Sequence, residues 1–166
     1  MTGSIHDTFT LDFLGWSPWL ERATDTDLTP EQRERVMAFL GNASNTDYID
    51  VLSNDLEAVQ ARALVHRHVY TDNEPQHGAS RELGATTTSR INGCVYCASV
   101  HARMYANYTK QRDVIQRFLD DGVDAELPDI ERAVVDVSAK LTRDPEGLTA
   151  ADLQPLRDLG FNDLEI

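Results

Sequence analysis

Both cysteines of the chain, Cys94 and Cys97, and one of its five histidines, His101, fall within the thirteen residues "RINGCVYCASVHA" at positions 90–102. Two thiols three apart can make and break a disulfide, and an imidazole four residues on can take or return a proton. On a helix the three side chains fall within a wedge of roughly 60°. Their i, i+3 and i, i+4 spacings are those that bring side chains together. Regular i, i+3 geometry leaves β-carbons about 5–6 Å apart, against about 3.8 Å in a disulfide. In a first helical turn, entered through the adjustable Asn92-Gly93 pair, that gap can close, so Cys94 can bond to Cys97. A helix start also favours the reactive thiolate, through unpaired N–H groups and the positive end of the dipole. The trio is a dithiol unit with a nucleophile, a resolving thiol and a base. Position at the helix start favours Cys94 as the more readily ionised thiol.

Glu82, one helix earlier, has Thr86 and Ser89 on its face. If the Asn92-Gly93 stop folds the two helices side by side, the carboxylate can approach His101 and fix its tautomer and orientation. Blander readings remain open: the thiols could be inert packing residues, and Cys94, Cys97, His101 and Glu82 together have ligand types that zinc accepts. The other histidines do not converge. His66 and His68 are two apart and face away from each other on a helix, His77 lies beside Gly78 in a loop, and His6 lies in an N-terminal arm.

The elements that must hold this unit read as helices almost throughout. Thr29 caps and Pro30 opens a helix over 28–41, closed by Gly41. Asn54 and Glu57 have capping-box spacing for the helix that runs to Tyr70. A polar loop over 71–78 leads into a helix over about 79–91, stopped by Asn92-Gly93, and a helix from about Cys94 to Tyr108. Further helices span 111–122 and 127–142, the latter with Ile130, Ala133, Val134 and Val137 on one face. Thr149 and Asp152 box another that contains Pro155. Alternating strand patterns and internal repeats are absent, and the short connections favour antiparallel neighbours. Around Pro18, "FLGWSPWL" reads as an extended arm lying on the body of the protein or on a neighbouring subunit. The expected organisation is an arm over 1–27 and a single all-helical domain over 28–166. In "FNDLEI" a capping pair, Asn162 and Glu165, opens one turn that should not persist alone, so the chain is expected to be a shortened form of its natural gene product.

Composition bounds the partners. The 166 residues carry 28 acidic and 15 basic side chains, a net charge of −13, which argues against nucleic acid or an anionic membrane. No stretch approaches the ~18 apolar residues of a membrane span, and the start lacks the pattern of a signal peptide. A lone C-x-x-C in such a chain points to redox or metal chemistry in the cytoplasm.

The stretch "SRELGATTTSRINGCVYCASVHA" resembles the core motif of alkylhydroperoxidase D-like proteins in the carboxymuconolactone decarboxylase superfamily. Their pattern E-x11-C-x2-C-x3-H is met by Glu82, Cys94, Cys97 and His101 without gap or shift. With "LTRDPEGLTAADLQPLRDLGFNDLEI" the resemblance covers about half of the chain, from Ala79 to its end, and is closest to the peroxidase-related branch, whose members continue into a further helix. It implies an all-α, compact antiparallel helical bundle that assembles into homo-oligomers, trimers or hexamers, and needs no cofactor and no metal. It implies thiol-dependent reduction of a hydroperoxide substrate. Cys97 would be the peroxidatic cysteine, oxidised to a sulfenic acid, and Cys94 would resolve it as a disulfide. Glu82 and His101 would relay the proton. A dithiol reductant, a lipoylated or thioredoxin-like protein, would restore the thiols by exchange. The best-known members carry a histidine where this chain has Tyr96, so weaker or differently directed peroxidase activity is expected. Within the superfamily the alternative is a decarboxylase of the namesake type, which does not use the thiol pair. Outside enzymes, it is a helical scaffold that keeps the pair as a redox sensor.

Overall fold

A computed structural model of the chain describes residues 8–15, 17–23, 28–34, 47–70 and 78–166. Every regular element among them is helical, and none is a strand. The labelled helices are α1 (Asp47–Leu52), α2 (Leu56–Tyr70), α3 (Gly78–Ile91), α4 (Val95–Thr109), α5 (Arg112–Asp121), α6 (Asp129–Arg143) and α7 (Ala150–Asp158), with a 3-10 turn over Gly122–Asp124 between α5 and α6. The all-α class expected from the sequence is what the chain adopts. Two features were not anticipated: the short α1 and the 3-10 turn. His6, Trp16 and His77, and the Gly41 stop, lie outside the described residues.

The chain forms two compact units, one containing α1 and α2 and the other α3 to α7 together with residues 8–14. In the first, residues 30–34 begin a helix whose cap is the reciprocal pair expected of Thr29. The Thr29 N–H donates to Gln32 Oε1 (2.8 Å) and the Gln32 N–H to Thr29 Oγ1 (3.2 Å). The cap of α2 differs from expectation by one residue: Asp55 Oδ1 accepts the Ala58 N–H at 3.0 Å. Asn54 instead donates its side-chain amide to the carbonyls of Glu21 and Val51. Asp and Asn cap comparably well, so the tertiary bond to Glu21 decides which of the two adjacent residues takes each task. His66 and His68 sit exposed on α2.

The second unit holds one apolar core. It joins Leu83 of α3, Ala102, Tyr105 and Ala106 of α4, Ile115, Phe118 and Leu119 of α5, Ala133 to Val135 of α6 and Leu156 of α7, with Leu11 and Phe161 from outside the helices. Alanines at 98, 102 and 106 line the inner face of α4, which lets the α3 backbone come close. The face of α6 is rotated slightly from the expected one: Ala133 and Val134 are buried as anticipated, but Ile130 in the first turn is 45% exposed. Asp152 closes α7 onto α6. Its carboxylate accepts the Thr149 N–H and hydroxyl and meets Lys140 Nζ at 2.6 Å. Beyond α7, Phe161 enters the core and the Asn162 N–H donates to Glu165 Oε2 (2.7 Å).

Segment 8–14 is fixed to α3 and α4 by contacts that span some ninety residues of sequence. The Thr10 N–H donates to Ser99 Oγ at 3.2 Å. The Arg103 guanidinium lies 4.7 Å from the Phe13 ring and donates to the Asp12 carbonyl, while Arg90 lies 4.9 Å from the Phe9 ring. Cations placed over aromatic faces in this way contribute about 0.5–1 kcal/mol each at exposed sites.

Candidate functional site

The turn between α3 and α4 builds the site. Gly93 takes a left-handed conformation (φ 73°), which an L side chain adopts only at a cost. The Cys94 N–H reaches back to the Ser89 carbonyl (2.8 Å) and the Gly93 N–H to that of Arg90 (3.2 Å). These are the two bonds of a Schellman stop. The same turn delivers Cys94 as the N-cap of α4, with φ −81° and ψ 87°. Its sulfur accepts the backbone N–H of Cys97 at 3.3 Å, occupying a position that a serine or aspartate oxygen ordinarily fills.

Cys94 and Cys97 are joined as a disulfide, with Cα atoms 5.4 Å apart. The bond lies in the first turn of α4, where the sequence allowed it, and both residues are half-buried. The Cys97 N–H at the helix start points to the Cys94 sulfur, which favours negative charge there when the bond is opened.

His101 follows on the same stripe of α4. Its Nδ1 lies 2.6 Å from Glu82 Oε2 on α3. A carboxylate can only accept, so Nδ1 carries the hydrogen and Nε2 is the ring atom that can take a proton. The carboxylate is buried (3% exposed) and the imidazole side chain is 27% exposed. The possible approach of Glu82 to His101 is therefore a direct contact, across the antiparallel pair that the Asn92-Gly93 turn creates.

Of the four candidate residues, the structure joins Cys94 to Cys97 and Glu82 to His101, two contacts along the α3–α4 pair. Tyr96, between the two cysteines, is 36% exposed. Among the described residues no cluster of three or more His, Cys, Asp or Glu side chains is arranged to hold a metal ion, and no helix is long and apolar enough to cross a membrane. Sequence reasoning missed Ser99, fully buried between Cys97 and His101, whose hydroxyl holds segment 8–14 by the Thr10 N–H. Its position on the inward side of α4, away from the cysteine stripe, was the signal available.

No protein-family profile matches the chain, and no curated protein sequence matches it. A solved structure does. The chain is similar to the crystal structure of an alkylhydroperoxidase core, an uncharacterized peroxidase-related protein from Ralstonia eutropha, at 23% sequence identity and a TM-score of 0.70. The match covers 83% of this chain and 73% of that one. The chain has the fold of an alkylhydroperoxidase core.

Proposed function

We propose that the protein is a thiol-dependent hydroperoxide reductase. The observation that carries this reading is the Cys94–Cys97 disulfide at the opening turn of α4, on the same helix stripe as an imidazole hydrogen-bonded to a buried carboxylate. A bond between thiols three residues apart, at a helix end that favours thiolate, suits repeated opening and closing.

In the reduced protein, Cys97 gives its proton to His101 Nε2, with the developing imidazolium held by Glu82. The thiolate attacks one peroxide oxygen. An S–O bond forms, the O–O bond breaks, and the departing alkoxide takes the proton from the His101 imidazolium as the alcohol leaves. The Cys94 thiol then attacks the sulfenic sulfur, the S–S bond forms, and the hydroxyl departs with the Cys94 proton as water. Two electrons have passed from the dithiol to the peroxide. A dithiol reductant, lipoylated or thioredoxin-like, returns them by exchange. The reading carries with it the expected homo-oligomer, a trimer or hexamer, and a cytoplasmic setting.

Hydroperoxide consumption in the presence of excess dithiol tests the proposal. Wild type should turn over, and Cys97→Ser and Cys94→Ser should not. Stoichiometric oxidation without turnover would identify a sensor instead. A decarboxylase would be indifferent to both substitutions.

A further inference from the structure

On its own helix His101 is flanked by the side chains one turn before and one turn after it: Cys97, Ala98, Met104 and Tyr105. Ala98 and Tyr105 are buried, and Tyr105 is committed to Glu131 Oε1 at 2.7 Å. Cys97 belongs to the dithiol. Met104 is the remaining neighbour, and it is 47% exposed. The three residues Cys97, His101 and Met104 climb α4 in steps of about 6 Å and about 4.5 Å, inside a wedge of roughly 60°. A methionine on a helix leans back over the preceding turn, here the turn that carries His101. The two nitrogens of an imidazole point in nearly opposite directions, so with Nδ1 turned to Glu82 the Nε2 faces away from that carboxylate.

Val100 and Tyr108, four residues to either side of Met104, extend its strip along α4. Val100 is half-buried. The Tyr108 ring packs over Gly78, where a β-carbon would lie 3.1 Å from its Cε1, so the absence of a side chain there makes room for the ring. The strip is also uncharged. In a chain with 28 acidic residues, α4 carries none. Its arginine, Arg103, is turned to segment 8–14 by the Asp12 carbonyl and the Phe13 ring.

Displacement at a peroxide oxygen places the attacking sulfur and the leaving oxygen on opposite sides of the oxygen attacked. The leaving oxygen takes its proton from the His101 imidazolium, so it must lie at Nε2, and the organic group it carries begins one bond further on. We propose that Met104, with Val100 and Tyr108 beside it, is the specificity-determining residue for that group: it receives an apolar, uncharged alkyl or aryl substituent of the hydroperoxide. A carboxylate on the substituent would find no cation on the strip, and hydrogen peroxide, which has no substituent, would make no use of it. The assignment rests on the peroxidase reading, with Cys97 as the reacting thiol.

The test compares kcat/KM for cumene hydroperoxide and for hydrogen peroxide in the full chain, with excess dithiothreitol as reductant. Met104→Gln keeps the length and helix propensity of the side chain but puts an amide in place of the thioether. It should lower kcat/KM for cumene hydroperoxide about tenfold, the effect of losing a small apolar contact, and leave hydrogen peroxide unchanged. Met104→Leu keeps the strip apolar and should hold both values near wild type. An equal loss with both peroxides, as a subunit contact at Met104 would give, or no loss with either, would overturn the assignment. Failure of the peroxidase reading looks different: wild-type protein would consume neither peroxide, and the assignment would fall with it.

Discussion

Replacing His101 with alanine removes the one group held 2.6 Å from Glu82 Oε2, while the carboxylate stays at a site only 3% exposed. Leaving a buried acceptor without its hydrogen-bond donor costs about 1–3 kcal/mol, and more when the acceptor is charged, as this carboxylate is. The imidazole is itself 27% exposed, so water can enter the space it vacates, and the cost is held to about 3 kcal/mol. For a chain of this size that is a fall in Tm of about 6–12 °C. The double variant His101→Ala/Glu82→Gln replaces the stranded carboxylate with a neutral amide and should recover about 2 kcal/mol of the loss. The assay is thermal unfolding at pH 7 without reductant, so that the Cys94–Cys97 bond stays intact in all proteins. The reasoning is refuted if His101→Ala melts with wild type, or if adding Glu82→Gln lowers Tm further. Either result would mean that the carboxylate does not depend on the imidazole.

Three further outcomes follow from local structure. The hydrogen bond from Lys140, and then those from Thr149, hold the Asp152 carboxyl down at about 2, against an ordinary 3.8. The folded-state value is depressed, so this stabilisation is fully present above pH ~4 and is lost as pH falls through about 2. Asp152→Asn should therefore melt below wild type at neutral pH, with the gap closing over that window in a pH series of melts. Tyr105 is buried and donates to Glu131 Oε1 at 2.7 Å, and burial first, then that carboxylate, pushes its phenol well above its usual range. Tyr105→Phe should cost about 1 kcal/mol in denaturant unfolding, less the more readily water replaces the hydroxyl at half-buried Glu131. Gly122 has φ 70° and ψ −142°, and a β-carbon there would meet Arg90 Nη1 at 2.5 Å. Gly122→Ala should cost at least about 1–2 kcal/mol for the conformation alone and loosen the Arg90 bonds to the Leu119 and Asp120 carbonyls, seen as faster amide exchange at the end of α5.

The helices and the centre of the site were legible because they depend on short-range chemistry. Asn92-Gly93 specifies the left-handed stop that α3 uses, Thr29-Pro30 specifies a helix start, and the Cys94, Cys97 and His101 spacing fixes a shared face whatever the rest of the fold does. Glu82 was legible only as a possibility, because its approach to His101 needs two helices to pack in one register. Where neighbouring residues offer equal local chemistry, as Asn54 and Asp55 do, a tertiary contact decided between them. The N-terminal arm was expected to lie on the body or on a neighbouring subunit, but where segment 8–14 docks could not be read. Its bonds join Thr10 to Ser99 and Asp12 to Arg103, and no periodicity in either stretch marks the other. Ile130 shows the same limit from the other side: helical spacing names a face, but neighbouring elements decide how far that face extends into the first turn.

The account turns on Cys97 as the sulfur that meets the peroxide, and trapping the first oxidation product tests this most directly. Reduced Cys94→Ser protein, treated with one equivalent of hydroperoxide in the presence of dimedone, should carry the sulfenic-acid adduct on Cys97, and Cys97→Ser protein should carry none. No adduct on Cys97, or an adduct on Cys94 in the Cys97→Ser protein at a comparable rate, would contradict it.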